Sequence, residues 1–340
     1  MRIDVHNHVI PERALALLRS QPASGVTVDG GVWRGAYHAE FPLSPSFVDP
    51  DAKLAELGHN AIDAAVLSAA PPLFFYDRDA TDGAAMCTTV NDGLAEFRES
   101  APDRLWWLAH VPLQDPERAA EMLDEQAAKS GCVGAHIGSA VGGARLDSDR
   151  FEPFWAAAER LRTPVMIHPH PTPASASGLD AFYLINVVGM PLETTVTIKR
   201  LIGAGVLERH PGLRIVLLHG GGYFPYQAGR MRHARTVRPE LAGAPADPWA
   251  ALGQLWFDVI THDQHALRYL AERVGLERVV LGTDLPFDMA LPDPVRKVEA
   301  ALGEAGLHAV AERNPSSLFG LDESDMAAEA NAFTRRESNV

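Results

Sequence analysis

The feature that most constrains the fold is a His-x-His pair inside a strand pattern at residues 1–8. Ile3 and Val5 alternate with polar residues, which is typical of a short buried strand. Because side chains on a strand repeat every two positions, His6 and His8 are expected to face the same side. The pair would supply half of a metal site, and a pair of surface histidines on an exposed strand is the alternative. Ligands contributed by other strands decide between the two.

Length and composition restrict the class of protein. A chain of 340 residues allows one large barrel or two ordinary domains. With 46% hydrophobic and 22% charged residues, the composition is ordinary for a soluble globular protein. No apolar run approaches the roughly 18 residues needed to span a bilayer, and nothing resembles a signal peptide. Cys87 and Cys132 are too few for a disulfide framework, so the sequence predicts a cytoplasmic protein.

The charge balance bears on partners. The 44 acidic residues outnumber the 30 basic ones, for a formal net charge of -14. This excess of negative charge argues against nucleic acid and anionic membranes as partners. It also means that an anionic substrate would need a local cluster of arginines. Most of the positive charge is indeed arginine, since the chain has only Lys53, Lys129, Lys199 and Lys297.

Eight short apolar segments separated mostly by helical patterns predict an α/β fold, a (β/α)₈ TIM-type barrel. The predicted strands are residues 3–8, 64–67, 105–111, 132–137, 164–168, 213–219, 255–260 and 278–281. A doubly wound open sheet is the alternative, but it would need a glycine-rich phosphate loop where the His-x-His lies. We expect one domain over residues 1–320, with 11–50 as a rim insertion containing a hairpin, and a polar tail at 321–340.

Further polar residues fall at the ends of the predicted strands. His168 ends strand 5, His219 ends strand 6, and Asp284 follows strand 8, so these groups should meet His6 and His8 on one rim of the barrel. Three imidazoles and a carboxylate suit Zn²⁺ with a position left for an activated water. His219 would be either a further ligand or a general acid/base. Fe²⁺, Co²⁺ and Mn²⁺ are also compatible with these ligands.

The motifs at residues 3–8, 189–195, 219–225 and 281–287 together resemble the amidohydrolase superfamily. Within it they resemble the amidohydrolase-2 branch, typified by the aminocarboxymuconate-semialdehyde decarboxylases, and the resemblance covers nearly the whole chain. Two-metal barrels of this superfamily commonly bridge their metals with a carboxylated lysine at a strand end. None of the four lysines lies at such a position, so one metal ion per subunit is expected.

The resemblance implies roles for individual residues. The metal ligands would be His6, His8, His168 and Asp284, and the catalytic residues would be Asp284 and His219, the histidine that shuttles protons. Substrate binding would involve Arg34, Phe287 and two arginines contributed by a neighbouring subunit, Arg230 and Arg238. Asn186 stands where the family decarboxylases carry a pocket tryptophan.

The arginines also form a pattern of their own. Arg230, Arg232, Arg235 and Arg238, with His233, make a positive patch on a strongly acidic chain. A solvated helix face is the alternative to a binding role. A guanidinium fork suits a carboxylate because two parallel hydrogen bonds fix its orientation. If the patch completes the pocket in trans, the protein is at least a homodimer.

These features favour a metal-dependent, non-oxidative decarboxylase of a small carboxylated semialdehyde or aromatic-derived acid. A hydrolase, hydratase or dehydrating cyclase with the same site is the main alternative. Asn186 and the departures from the family pattern at residues 37–48 and 169–173 are the reasons for retaining this alternative. A non-catalytic metal-binding scaffold is a third possibility, but it would not need His219. His110 and His136 are expected to be core residues, and His262 is expected to support the site.

Overall fold

A parallel sheet of eight strands, each hydrogen-bonded to the next along the chain, forms the centre of the protein. The computed structural model describes residues 1–20, 25–35, 40–170, 172, 177–245 and 247–321. Barrel strands 1 to 8 are Ile3–Val9, Ala64–Ala69, Leu105–His110, Cys132–Gly138, Val165–His168, Ile215–Leu217, Leu255–Asp258 and Val279–Val280. The sheet closes because the Val5 amide donates to the Leu281 carbonyl at 2.9 Å and the His8 amide to the Leu285 carbonyl at 2.8 Å. The predicted (β/α)₈ barrel is confirmed.

The apolar pattern of the strands reflects burial on both faces, as in other parallel sheets covered by helices. One cluster, which includes Val5, Val66, Leu108 and Val216, fills the barrel interior. A larger cluster lies between the outer strand faces and the helices. The functional groups gather at the carboxyl end of the barrel, where His8 and His168 lie near the ends of strands 1 and 5.

Helices connect the strands. They span Glu12–Ser20, Pro50–His59, Ala80–Arg98, Pro116–Ala127, Glu152–Arg160, Met190–Gly203, Val206–Arg209, Phe224–Val237, Gln264–Val274, Pro294–His308 and Asn314–Phe319. Several begin after an aspartate whose carboxylate accepts a backbone hydrogen bond, as Asp115 does from the Arg118 amide at 3.1 Å. Within the described ranges, no helix is both long and apolar enough to cross a membrane.

The segment after strand 1 contains a small antiparallel sheet of Thr27–Asp29, Val32–Arg34 and Glu40–Pro42. It buries Trp33 against Phe41, with ring centroids 5.9 Å apart. Phe41 in turn contacts Phe287 from the loop after strand 8, at 5.1 Å. This sheet therefore forms part of the wall above the barrel. The polar tail expected at 321–340 lies outside the described residues except for Leu321.

Candidate metal centre

Side chains from four strands and the segments after them meet at the carboxyl end of the barrel. His6, His168, His219 and Asp284 each offer one ligand atom, and these atoms all lie within 4.8 Å of one another. His8 belongs to the same cluster, since its Nε2 lies 3.1 Å from Nε2 of His6 and 3.0 Å from Oδ1 of Asp284. The five groups predicted to share one rim are thus brought together, although 278 positions separate His6 from Asp284 in the sequence.

Three of the four histidines are oriented through Nδ1. Their partners, in chain order, are Oδ2 of Asp258 for His6 at 2.9 Å, Oγ of Ser68 for His8 at 3.0 Å, and the Pro169 carbonyl for His168 at 2.8 Å. A carboxylate and a carbonyl accept only, and the Ser68 hydroxyl donates to the Asn7 carbonyl at 3.2 Å. The proton therefore lies on Nδ1 in each ring, and the Nε2 lone pair faces the centre.

This arrangement crowds acceptor atoms together. With the Nε2 lone pairs of His6 and His8 facing each other at 3.1 Å, the contact is repulsive unless a cation lies between them. Oδ1 of Asp284 is buried and has no hydrogen-bond donor among the described residues. Imidazole nitrogen and carboxylate oxygen are the ligands that Zn²⁺ and similar divalent ions prefer. The residues present therefore fit one divalent metal ion.

The electrostatics agree with that assignment. Burial lowers the pKa of His8 to about 4 and that of His168 well below its usual value, which keeps both rings neutral and able to act as ligands. Burial alone would raise the pKa of Asp284, but the facing imidazoles of His6, His219 and His8 hold it well below the usual range. Burial would likewise lower the pKa of His6, yet the carboxylates of Asp284 and Asp258 raise it. A negative field that favours a proton on His6 would also attract a metal cation.

His219 differs from the other three histidines. Its Nδ1 is buried without a hydrogen-bond partner among the described residues, and its Nε2 lies 3.6 Å from Oδ2 of Asp284. Strand 6 ends at Leu217, so the prediction that the strand runs to His219 was wrong. His219 has a φ of 55° and Gly220 one of 62°, a left-handed conformation that no strand can contain. The turn places the imidazole in the wall of the cavity, with Nε2 on the side of Asp284.

A cavity of about 260 Å³ opens beside the centre, and a second of about 600 Å³ adjoins it. Both are lined by Asn186, Met190, His219, Asp284 and Met289. The first cavity also has Glu40 and Asp288 in its wall, and no arginine or lysine among its described lining residues. A carboxylated substrate would therefore meet mainly negative charge from this protomer alone, apart from the metal centre.

The residues expected to bind substrate fall into two groups. Asn186 and Phe287 line the first cavity, and the Phe287 ring lies 5.4 Å from that of His8. Arg34 does not line it, but its guanidinium forms an ion pair at 3.1 Å with Glu40, which does. Arg230 and Arg238 are exposed, and Arg238 pairs with the adjacent Glu240, so neither reaches this protomer's cavity.

Sequence reasoning missed Asp258 and Ser68, which orient two of the ligands. An aspartate ending the apolar strand Leu255–Asp258 was a usable signal, whereas Ser68 inside Ala64–Ala69 gave none. His136, expected in the core, is buried with its ring 5.7 Å from that of His8. Neither of its ring nitrogens has a hydrogen-bond partner among the described residues. His262 was expected to support the site. It is exposed, and it lines the second of the two cavities described above but not the first.

Comparison with known proteins places this geometry in context. A family model described as Amidohydrolase matches residues 3–321. The 2-amino-3-carboxymuconate-6-semialdehyde decarboxylase of Dictyostelium discoideum is 30% identical over 315 residues, which cover 88% of this chain and 86% of that protein.

Solved structures agree at the level of the fold. The apo form of Metarhizium anisopliae IDCase superposes with a TM-score of 0.85 at 23% identity, covering 95% of this chain and 98% of that one. A dihydroxybenzoic acid decarboxylase from Polaromonas, solved with bound manganese and the inhibitor 2-nitroresorcinol, gives a TM-score of 0.78 at 23% identity. That match covers 94% of this chain and 97% of the other.

Proposed function

This chain belongs to the amidohydrolase family, and on that premise we propose that it is a metal-dependent, non-oxidative decarboxylase. The substrate class we propose is a small carboxylated semialdehyde or an aromatic-derived acid. The observation that carries the proposal is the pairing of oriented ligands with one imidazole at the cavity wall, His219, whose Nδ1 has no hydrogen-bond partner among the described residues. The decarboxylase names of the relative and of the manganese-bound neighbour support the same choice.

In this proposal His6, His8, His168 and Asp284 hold one divalent cation per chain, which we take to be Zn²⁺. Fe²⁺, Co²⁺ and Mn²⁺ suit the same donor set. When bound, the cation would act as a Lewis acid that stabilises negative charge developing on the substrate.

The chain's own residues then manage the proton and the surroundings. When the bond to the departing CO₂ breaks, its electron pair stays on the substrate carbon, and His219 delivers a proton to that carbon. Asp284 has Oδ2 3.6 Å from Nε2 of His219, so its charge acts on the imidazole during this transfer. The apolar side chains of Phe41, Phe287 and Met190 line the cavity and limit access of water to the reacting carbon.

Recognition of a second substrate carboxylate would depend on arginines from outside the cavity wall. We propose that Arg230 and Arg238, exposed on this protomer, reach the cavity of a partner in a homodimer. Arg34 would contribute only after exchanging its ion pair with Glu40 for one with substrate. The acidic wall of the cavity supports this need for external cations. The cytoplasmic location stays a prediction from cysteine usage.

The test supplies the zinc-loaded protein with freshly generated 2-amino-3-carboxymuconate-6-semialdehyde and, separately, with a dihydroxybenzoate. Each substrate carries ¹³C in every carboxylate, and the released CO₂ is trapped and measured by mass spectrometry. The expected result is one CO₂ per substrate consumed with at least one of the two. Substrate loss without labelled CO₂ would contradict the proposal and favour the hydrolase, hydratase or cyclase alternative. No turnover of either compound by metal-loaded protein would reject both proposed substrate types.

A further inference from the structure

A single buried carboxylate contacts both the metal-ligand set and the backbone of the catalytic turn. Oδ2 of Asp258 accepts hydrogen bonds from Nδ1 of His6 at 2.9 Å and from the His219 amide at 3.0 Å. Oδ1 accepts from the Gly220 amide at 2.7 Å and from the Ile260 amide at 3.1 Å. Asp258 is fully buried, so four protein donors share its two oxygens within the barrel.

Two of those four bonds hold a backbone conformation that is unfavourable for the residue present. His219 is an L-residue with a φ of 55°, in the left-handed region where its Cβ is crowded, and three glycines with positive φ follow it. Such a turn persists only when surrounding contacts determine it. The amides of His219 and Gly220 both point at Asp258, so this carboxylate is one of those determining contacts.

Close backbone packing brings Asp258 and His6 together. Gly282 lies between them, and a Cβ on it would come within 2.8 Å of the His6 Cβ and 2.9 Å of the Asp258 Cβ. Any larger residue at 282 would therefore push the two side chains apart.

The other two oriented ligands, His8 and His168, are not linked to the 219–222 turn through their hydrogen-bond partners. Ser68 fixes His8 and the Pro169 carbonyl fixes His168, and no hydrogen bond joins either partner to the 219–222 turn.

We propose that Asp258 is a positioning residue that couples the metal ligand His6 to the proton carrier His219. The significance of His219 rests on the proposed decarboxylase function, whereas the coupling itself does not. Only a carboxylate satisfies all four donors. The amide of an asparagine would present an NH₂ group to two N–H donors whichever way it was turned.

The test compares Asp258→Asn with Ser68→Ala, which removes the partner of a different ligand. Zinc affinity is measured by competition with a chelator, and exchange of the His219 and Gly220 amides by hydrogen–deuterium exchange. Asp258→Asn should weaken zinc binding about 10- to 100-fold and reduce the protection of whichever of the two amides faces its NH₂ group. Ser68→Ala should weaken zinc binding while leaving the protection of these amides unchanged. Asp115→Asn, a helix-capping aspartate that contacts none of the ligands, should change neither quantity.

Retained protection of both amides in Asp258→Asn would overturn the proposal, as would unaltered zinc affinity. If that variant fails to fold, the wild-type protein gives the answer. Loading it with zinc fixes the His6 ring against Asp258, so the Gly220 amide should exchange more slowly than in the zinc-stripped protein. Equal exchange rates in the two forms would contradict the coupling. These readouts do not need a substrate, so they stand even if no decarboxylation is found.

Where decarboxylation is found, kinetics add a second criterion. Zinc-saturated Asp258→Asn should lose kcat with little change in KM, because the turn that carries His219 is released while the cavity wall is kept. A variant that recovers wild-type kcat at saturating zinc would show that Asp258 serves the metal alone, which would contradict its effect on His219.

Discussion

The four histidines of the centre differ in how the protein holds them. His6, His8 and His168 have Nδ1 hydrogen-bonded, so each presents Nε2 with fixed geometry, as a ligand requires. His219 has a free Nδ1 and a partly exposed side chain at the cavity, as a proton carrier requires. Of the two possibilities left open by the sequence, ligand or acid/base, we therefore propose acid/base for His219.

Replacing His219 by glutamine should separate metal binding from proton transfer. This variant should bind zinc with an affinity near that of the wild type, because the other four groups remain. Its kcat for CO₂ release should fall about 10²- to 10⁴-fold, the usual contribution of general acid–base catalysis. Stopped-flow turnover and chelator competition measure the two quantities. The matched control is His262→Gln on the neighbouring cavity wall, and a His219→Gln enzyme as active as this control would refute the assignment.

The burial of His110 should make the free energy of unfolding depend on pH. Burial lowers the pKa of His110 to about 4, against 6.5 for the unfolded chain, so between these values the unfolded state binds one more proton than the native state. The stability contributed by neutral His110 is therefore present above pH 6.5 and is lost as the pH falls toward 4.

His110→Gln should accordingly reduce the slope of unfolding free energy against pH by about 1.4 kcal/mol per pH unit in that window. Glutamine can still donate to the Leu73 carbonyl, which His110 contacts at 3.0 Å. Urea unfolding of metal-free protein at several pH values gives the slope. An identical slope in both proteins would show that His110 titrates normally in the fold.

At the scale of elements, the sequence was most informative where periodicity and strand ends coincide. His6 and His8 in strand 1 and His168 at the end of strand 5 could be placed because a strand fixes the direction of its side chains. Arg34 could not be placed, since its orientation depends on a tertiary ion pair with Glu40. The helix Glu12–Ser20 was missed because only Ala14, Leu15 and Leu18 form its buried stripe.

The three glycines of the 219–222 segment indicate a turn, but its backbone conformation and its packing could not be predicted from the sequence. Gly222 has a φ of 60°, and a Cβ there would lie 2.2 Å from the Pro191 carbonyl oxygen on the helix Met190–Gly203. The backbone of the turn therefore packs directly against that helix, and this contact helps to set the position of His219 at the end of the barrel.

Gly222→Ala tests this packing. The new Cβ must displace either the turn or the helix, so the protein should lose about 2 to 4 kcal/mol of stability and most of its turnover. Gly229→Ala is the matched control: it lies in the helix Phe224–Val237 with open space around it, and should gain about 0.5 to 1 kcal/mol. Thermal and urea unfolding report both. A Gly222→Ala protein as stable as the wild type would mean that the close approach is not needed.

The described residues of one chain provide no arginine or lysine in the wall of the first cavity. The cavity wall carries Glu40, Asp284 and Asp288, while Arg230 and Arg238 are exposed and do not line it. A homodimer that exchanges these arginines would resolve the mismatch between an acidic wall and an anionic substrate.

Mixing two inactive variants tests this arrangement. His219→Gln chains supply intact arginines, and Arg230→Ala/Arg238→Ala chains supply an intact His219. After subunit exchange, half the dimers are mixed and each has one complete site, so about a quarter of wild-type activity should return. No recovery despite mixed dimers, verified by native mass spectrometry, would contradict contribution in trans.

We propose that one metal ion, held by His6 and His8 of strand 1, His168 of strand 5 and Asp284 after strand 8, enables CO₂ release. The most direct measurement titrates zinc into chelator-stripped protein while following labelled CO₂ from 2-amino-3-carboxymuconate-6-semialdehyde or a dihydroxybenzoate. We expect no release without metal, a linear rise, and a plateau at one equivalent per chain, with Asp284→Ala inactive throughout. Full CO₂ release from the stripped protein, or a plateau only at two equivalents, would contradict it.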